Sequence, residues 1–409
     1  MTQVQQQVTN QSLTIPQVDT PNTSKPAEIV NDWQARRRLL FLFALLGLVF
    51  AAWAARIPTI RDKLDLSTGQ LGLALLCAGI GGLASFPFAS TLVARWGPAK
   101  AALCSGSILL MTLISAAFSP TLPILMSALG LMGASASCFD VAINAIGTIA
   151  EAKAGRSIMS LLHAGFCVGT VVGSLSGSAL ASLGWTPQAH FMLIAAMFAL
   201  PLWLACRFLQ ARLVPVAAAL VSTSTHRRWF NLPTRPLMIL GLIGFCGAIV
   251  EGGIADWSGV FMQDKLNATD GLAPLGYAGF AGAMLIARLY ADRLKDHFGA
   301  RRVVAFGAMF AVAGMMAAVS AVSSPLTIAG FALAGAGLSG VFPFVFSAAG
   351  RHGSKALAGV ATISYCGGLI GPPVIGFIGQ LTDLSIALGC VGLLCALLGC
   401  VAYRCASLA

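Results

Sequence analysis

Five ionisable side chains sit inside long runs of Ala, Gly, Leu, Ile, Phe and Val: Arg56, Asp140, His163, Glu251 and Asp256. A charged group at bilayer depth is costly, so it normally faces a cavity, a partner or a proton path. At 1.5 Å per helical residue, Asp140 falls roughly 12 Å and His163 roughly 9 Å from the same end of their segments. That shared level lets them meet on adjacent helices, and a His beside a carboxylate is suited to exchanging protons near physiological pH. Asn144 follows Asp140 by one turn, on the same face. Arg56, Glu251 and Asp256 form a second level, roughly 22–30 Å from that end. Arg56 is expected to pair with one of the two acids and close the far gate, leaving the other for a proton or substrate. Trp53, Trp257, Phe342, Phe344 and Tyr365 lie near these levels and offer flat rings that stack on sugars or hold amphiphiles.

The elements that position these groups follow from composition. The chain is 57% hydrophobic and 10% charged, whereas a soluble domain carries roughly 25% charged residues. Backbone polar groups in lipid must be satisfied internally, which leaves helices or a closed barrel. Continuous apolar runs of helical length exclude the alternating strands of a barrel. The expected fold is an all-α polytopic membrane protein. Spans are expected at about 39–60, 68–94, 99–118, 121–149, 157–182, 187–209, 236–262, 272–292, 303–322, 325–349, 356–380 and 384–404, a run of ~20 apolar residues sufficing for each.

Charge placement supports twelve spans. Arg36, Arg37 and Arg38 precede the first. Loops on that side then carry Arg95, Lys100, Lys153, Arg156, Arg207, Arg212, Arg227, Arg228, Arg235, Arg293, Lys295, Arg301, Arg302, Arg351, Lys355 and Arg404. The opposite loops hold Arg61, Lys63 and Lys265, each near acids. Basic loops stay in the cytoplasm, so both termini are expected there, in a bacterial inner membrane. The net charge of +11 is a topology signal and not a nucleic-acid footprint. Residues 1–38 form a polar tail expected to be disordered. Residues 39–209 form a first six-helix bundle, 210–235 a central cytoplasmic loop and 236–409 a second bundle.

An internal repeat relates the two halves. Arg95-Trp96-Gly97 with Lys100 ends the second span, and Asp292-Arg293 with Gly299, Arg301 and Arg302 ends the eighth. Gly165, Gly169 and Gly173 in the fifth span answer Gly367 and Gly371 in the eleventh. Twelve helices in two pseudo-symmetric bundles, with a site between them, is the architecture of many secondary transporters. On these residues the chain resembles the major facilitator superfamily. Gly282, Arg288, Asp292, Arg293, Gly299, Arg301 and Arg302 resemble its loop motif; in the first half Arg95, Gly97 and Lys100 remain, and Ala94 replaces the usual Asp. Arg56-Ile57-Pro58, Asp140, Asn144, Glu151, Arg156, His163, Glu251 and Asp256-Trp257 are most similar to the fucose-permease-like, YbjJ-type branch. That resemblance implies proton coupling and sugar binding at Asp140 and Asn144. The branch also carries an acid in the first span, where this chain has Arg56.

The function expected is secondary active transport of a small polar solute, a sugar or related compound, coupled to protons, by a monomer. Proton-driven export of amphiphiles on the same fold is the alternative; Ser174, where the superfamily's antiporters carry a proline, disfavours drug antiport. A different class, the intramembrane serine protease, is suggested only by Gly337-Leu338-Ser339-Gly340. The only histidine following that serine is His352, in a loop, so helix packing explains the motif better and no enzyme is expected. No zinc or phosphate-loop motif occurs, and no cofactor or metal is expected. The eleven cysteines form no CxxC pair and read as packing residues.

Overall fold

The computed structural model describes residues 33–154, 158–220 and 234–408. Among these, thirteen α-helices and one short 3₁₀ turn account for the regular structure, with no strand. The first six are α1 (Trp33–Lys63), α2 (Thr68–Trp96), α3 (Pro98–Phe118), α4 (Leu122–Ala154), α5 (Met159–Ser182) and α6 (Pro187–Leu220). The second half holds α7 (Arg235–Leu266), α8 (Leu275–Phe298), α9 (Ala300–Ser320), α10 (Ser324–Leu338), α11 (Val341–Gly350), α12 (Ser354–Leu381) and α13 (Leu384–Arg404). Helices α10 and α11 form one membrane-length element interrupted at Ser339-Gly340. Pro343 lies just beyond the interruption; it has no N–H to give the Ser339 carbonyl, so that oxygen is free for another donor.

The twelve expected spans are therefore present. Eleven elements are long and apolar enough to cross a membrane. The other is α8, whose second half carries Arg288, Asp292, Arg293, Lys295 and Asp296. Several helices run past the expected bounds: α4 ends at Ala154 and α8 at Phe298, and two more extend into the expected tail and central loop. Helix α1 begins at Trp33, inside the expected tail, because Arg37 lies over the Trp33 ring and Arg38 over Phe208 of α6. Helix α6 continues to Leu220, into the expected central loop, past Pro215. Residues 1–32 of the tail, Arg156 and residues 221–233 of the central segment, including Arg227 and Arg228, lie outside the described residues.

Both Trp33 and Arg404 lie at one end of the helical array, the proximal end; the other end is distal. Each packing pair of the first half recurs in the second. Helix α1 packs on α5 as α7 packs on α12, α2 on α4 as α8 on α10, α3 on α4 as α9 on α10, and α3 on α6 as α9 on α13. The turn repeat is equally close in backbone terms. Gly97 between α2 and α3 has φ 78° and ψ 155°, and Gly299 between α8 and α9 has φ 80° and ψ 147°. Such positive-φ geometry favours glycine.

Helices close on one another through small residues, as expected without a hydrophobic drive between apolar segments in lipid. The protease-like tetrapeptide is part of this packing. Gly337 of α10 lies directly against the Gly307 backbone of α9, and the Ser339 hydroxyl donates to the Ala336 carbonyl of its own turn. We expect Gly337→Val to force these backbones apart and destabilise the protein by about 1–3 kcal/mol. The midpoint of thermal unfolding measures it; an unchanged midpoint contradicts the close approach.

Candidate functional site

The two halves meet along α2 with α12, α5 with α8, and α1 with α7. At the distal end these contacts are polar. Arg61, at the end of α1, makes a bidentate pair with Asp264 at the end of α7, at 2.7 and 2.8 Å. The same guanidinium also holds Asp62. The Thr59 hydroxyl donates to Asp270, which also accepts from Gln263. Ser178 of α5 donates to the Gly271 carbonyl. Gln380 of α12 accepts from the Gly69 amide and the Thr68 hydroxyl of α2. A planar, forked, partly desolvated Arg–carboxylate pair is a stronger link than a solvated Lys pair.

Arg56 does not join this gate in the way its level suggested. It is 1% exposed, and its Nε donates to Nδ1 of His190 on α6 at 3.2 Å. His190 is fully buried and its other ring nitrogen faces the Ser176 hydroxyl at 3.4 Å. The pairing with Glu251 or Asp256 is absent among the described residues. Helix α6 covers this face of α1, and the two α7 acids sit by α8 instead. Arg56 Nη2 is left buried without a hydrogen-bond partner among the described residues. Losing His190 therefore strips a buried cation of its one side-chain acceptor among the described residues. We expect His190→Leu to destabilise the protein by about 3 kcal/mol and His190→Gln, which keeps an acceptor, to recover much of it. Thermal unfolding of the two variants decides; equal midpoints would remove the bond from the stability account.

At mid-depth the seam between α5, α7 and α8 holds a charged set. Arg288 of α8 lies ten residues before Phe298, about 15 Å from the proximal end of its helix. Its Nη1 donates to Cys167 Sγ of α5, across the two halves, and its Nε to the Ser339 carbonyl at 3.4 Å. That carbonyl is the one left free by Pro343. Glu251 and His163 are both within electrostatic range of Arg288. Tyr277, 5% exposed, is within range of Glu251 and Asp256. Arg288 is therefore not a loop residue, as the motif resemblance implied: α8 stays helical to Phe298 and carries it inside. Cys167, read from sequence as a packing residue, is a hydrogen-bond acceptor.

The rest of that motif does stand near the proximal end. Asp292 and Arg293 are exposed on the last turns of α8, and Arg95 on the last turn of α2. On the first turn of α9, Arg301 lies over the Tyr403 ring, beside Arg302.

The second mid-depth group lies between α2, α4 and α12. Asn144 Nδ2 donates to Asp140 Oδ1 at 2.9 Å, and Tyr365 of α12 is within electrostatic range of Asp140. The expected meeting of Asp140 with His163 does not occur. Helices α4 and α5 touch little, and His163 packs edge-on against Phe43 with ring centroids 5.3 Å apart. Depth placed the two on one level but did not fix which way each helix face turns. Below this group, Glu151 Oε2 accepts from the Ile158 and Met159 amides and caps the start of α5.

Of the five expected aromatics, Tyr365 lines a cavity of about 230 Å³ with Phe86. Trp53 and Trp257 are buried, at 3% and 0% exposure, and the Trp257 indole donates to the Pro372 carbonyl in α12. Phe344 is buried under Lys295, and Phe342 lies against Phe346. Sequence reasoning passed over Arg61 with Asp264, His190, Tyr277, Phe86 and Cys167. Pro343 was the one available signal, since it marks a carbonyl needing a donor. No cluster of metal-ligating residues occurs among the described residues.

Known proteins share this arrangement. The family model of the Major Facilitator Superfamily matches residues 39–363 and 258–406. An uncharacterised MFS-type transporter of Yersinia pestis is 36% identical over 366 residues, covering 88% of this chain and 92% of its own. An uncharacterised transporter of Sinorhizobium fredii is 32% identical, covering 87% and 94%. Among solved structures, a bacterial homologue of the human lysosomal transporter Spinster, inward-facing and occupied, superposes with TM-score 0.71 at 14% identity over 94% of this chain and 98% of its own. The nucleoside transporter NupG gives 0.68 at 13% over 91% and 98%. The xylose transporter XylE of E. coli, partially occluded and inward-open, gives 0.67 at 13% over 90% and 98%.

Proposed function

The chain belongs to the major facilitator superfamily, and on that premise we propose that this transporter is a proton-coupled porter of a small polar organic solute, working by alternating access. The observation that carries the reading is the asymmetry of the seam. Polar links close the distal end, while at mid-depth Asp140 has Asn144 as its one hydrogen-bond partner among the described residues. A carboxylate at that depth is costly unless hydrated or paired. A carrier that moves Asp140 between wet and sealed surroundings thereby ties proton binding to its conformation.

We take the proximal end as cytoplasmic, in a bacterial inner membrane, because Arg95, Lys100, Arg293, Arg301, Arg302 and Arg404 gather there. With the distal end closed, we read the state as inward-facing and the carrier as a monomer. Structural likeness to carriers named for nucleosides and for xylose supports a polar organic cargo, and the Asp140–Asn144 pair supports the fucose-permease-like placement.

The test uses proteoliposomes with an internal pH dye and a panel of monosaccharides and nucleosides. The expected result is solute-driven proton movement for at least one compound, saturable and absent from empty liposomes. Uptake that saturates but moves no protons would overturn the coupling.

A further inference from the structure

The cavity between α2, α4 and α12 has a composition the transport cycle alone does not require. It is lined by Gly79, Gly82, Leu83, Phe86, Ser137 and Tyr365, with Leu369 and its neighbours closing one wall. The Phe86 and Tyr365 rings belong to opposite halves and lie nearly parallel, with an interplanar angle of 23° and centroids 6.3 Å apart. Glycine on α2 and α12 leaves backbone, not side chain, along much of the remaining wall. These are flat surfaces.

Besides the Tyr365 hydroxyl, one polar group lies in the lining and a second stands one turn behind it. Ser137 Oγ is buried with no hydrogen-bond partner among the described residues. Buried hydroxyls are nearly always satisfied, so one left open beside a cavity points to a partner that arrives from outside. Ser137 is three residues before Asp140 on α4, so the two share a face. The carboxylate, fixed by Asn144, thus stands one turn from the open hydroxyl. Among the described residues no cation lines the cavity to hold an anionic ring, and the Asp140 carboxylate one turn behind Ser137 repels one.

Size narrows the ligand further. A cavity of about 150 Å³ holds benzene, while drug-sized sites begin near 300 Å³. At about 230 Å³, and open on one side, this one holds a single small ring with a substituent.

We infer that this cavity is a subsite for one planar, uncharged or cationic ring that carries a hydrogen-bond donor at its edge. The ring stacks beside Phe86 and Tyr365, and the donor reaches Ser137 and Asp140. Because the two aromatic walls come from different halves, the bound ring also touches both moving bodies. The site deepens, and rests on, the transport function proposed above.

The full-length protein, purified with lipid and detergent, is titrated with benzamide, benzamidine, benzoate and cyclohexanecarboxamidine. Binding is followed by calorimetry and thermal unfolding. Benzamide and benzamidine are expected to bind; cyclohexanecarboxamidine, a puckered cation, is expected to bind at least about fivefold more weakly than benzamidine, and benzoate not to compete. Phe86→Leu and Tyr365→Leu each abolish the preference for the flat ring, and Tyr365→Phe keeps it. Leu83→Trp fills the cavity and abolishes benzamide binding, which supplies the test if the ring-to-leucine variants fail to fold. No ring binding, equal binding of flat and puckered cations, or benzoate binding as tight as benzamide overturns the proposal. Proton movement in proteoliposomes is scored separately. Its absence alongside ring binding counts against the transport function alone; proton-coupled uptake of non-planar solutes without ring binding counts against this subsite alone.

Discussion

Replacing Asp140 with Asn abolishes proton-driven accumulation of the solute in proteoliposomes and spares counterflow exchange. Asn keeps the shape of the side chain and can still bond Asn144, whose amide now meets Asp140 Oδ1 at 2.9 Å. What it removes is the ability to release a proton. A symporter whose empty form must deprotonate before it returns can then exchange loaded carrier for loaded carrier but cannot cycle net. Net uptake therefore stops, and labelled solute enters only in exchange for solute already inside. Accumulation by the variant at the wild-type level would take Asp140 out of the coupling step.

Replacing Arg288 with Met cuts transport by about thirtyfold, the equivalent of about 2 kcal/mol for a charge partner lost at a desolvated seam. Met fills similar space and keeps helix propensity, so packing in α8 is largely retained. Three things are lost together. Cys167 on the opposite half loses its donor, the Ser339 carbonyl freed by Pro343 loses its partner, and Glu251 loses the nearby positive charge. Removing that carboxylate as well, in Arg288→Met with Glu251→Gln, is expected to recover part of the thermal stability, because no unpaired ion then remains at depth. Arg288→Lys keeps the charge but not the fork, so it cannot serve Cys167 and Ser339 in the same geometry. Initial uptake rates and unfolding midpoints across the three variants test this; wild-type transport by Arg288→Met contradicts a functional role at the seam.

The fold was legible because its signals are long and redundant. Apolar runs of membrane length, basic residues on alternate turns, and the Gly97 and Gly299 turns all report the same twelve-helix, two-half plan. The two turn glycines share one backbone geometry. The site was less legible, for a physical reason. Counting residues along a helix gives depth, but the azimuth of a side chain depends on how each helix rotates against its neighbours. Asp140 and His163 share a level and face different partners, Tyr365 and Phe43. Arg56 and Asp256 likewise sit near one level on packed helices and do not pair.

Charges near helix ends carried the opposite problem. Arg61 and Arg288 both read as members of loop or interface sets, since Lys63 and Asp292 stand close by in sequence. Only the packing of α1 on α7 and of α5 on α8 turns them into links between halves. His190 gave no sequence signal, because a lone histidine in an apolar helix most often reads as packing, and its partner Arg56 is 134 positions away.

Alternating access is tested most directly by distances between the halves in lipid. The eleven native cysteines make thiol labelling unsuitable, so spin labels are attached through genetically encoded keto residues. One pair replaces the exposed Asp65 and Asn267 at the distal end; another replaces the exposed Lys100 and His352 at the proximal end. The expected result is two populations for each pair, shifting in opposite senses as pH is lowered and as the transported solute is added: the distal distance lengthens as the proximal distance shortens. A single unchanged distance at both ends, in protein that still transports, would contradict the rocking of two halves about a mid-depth site.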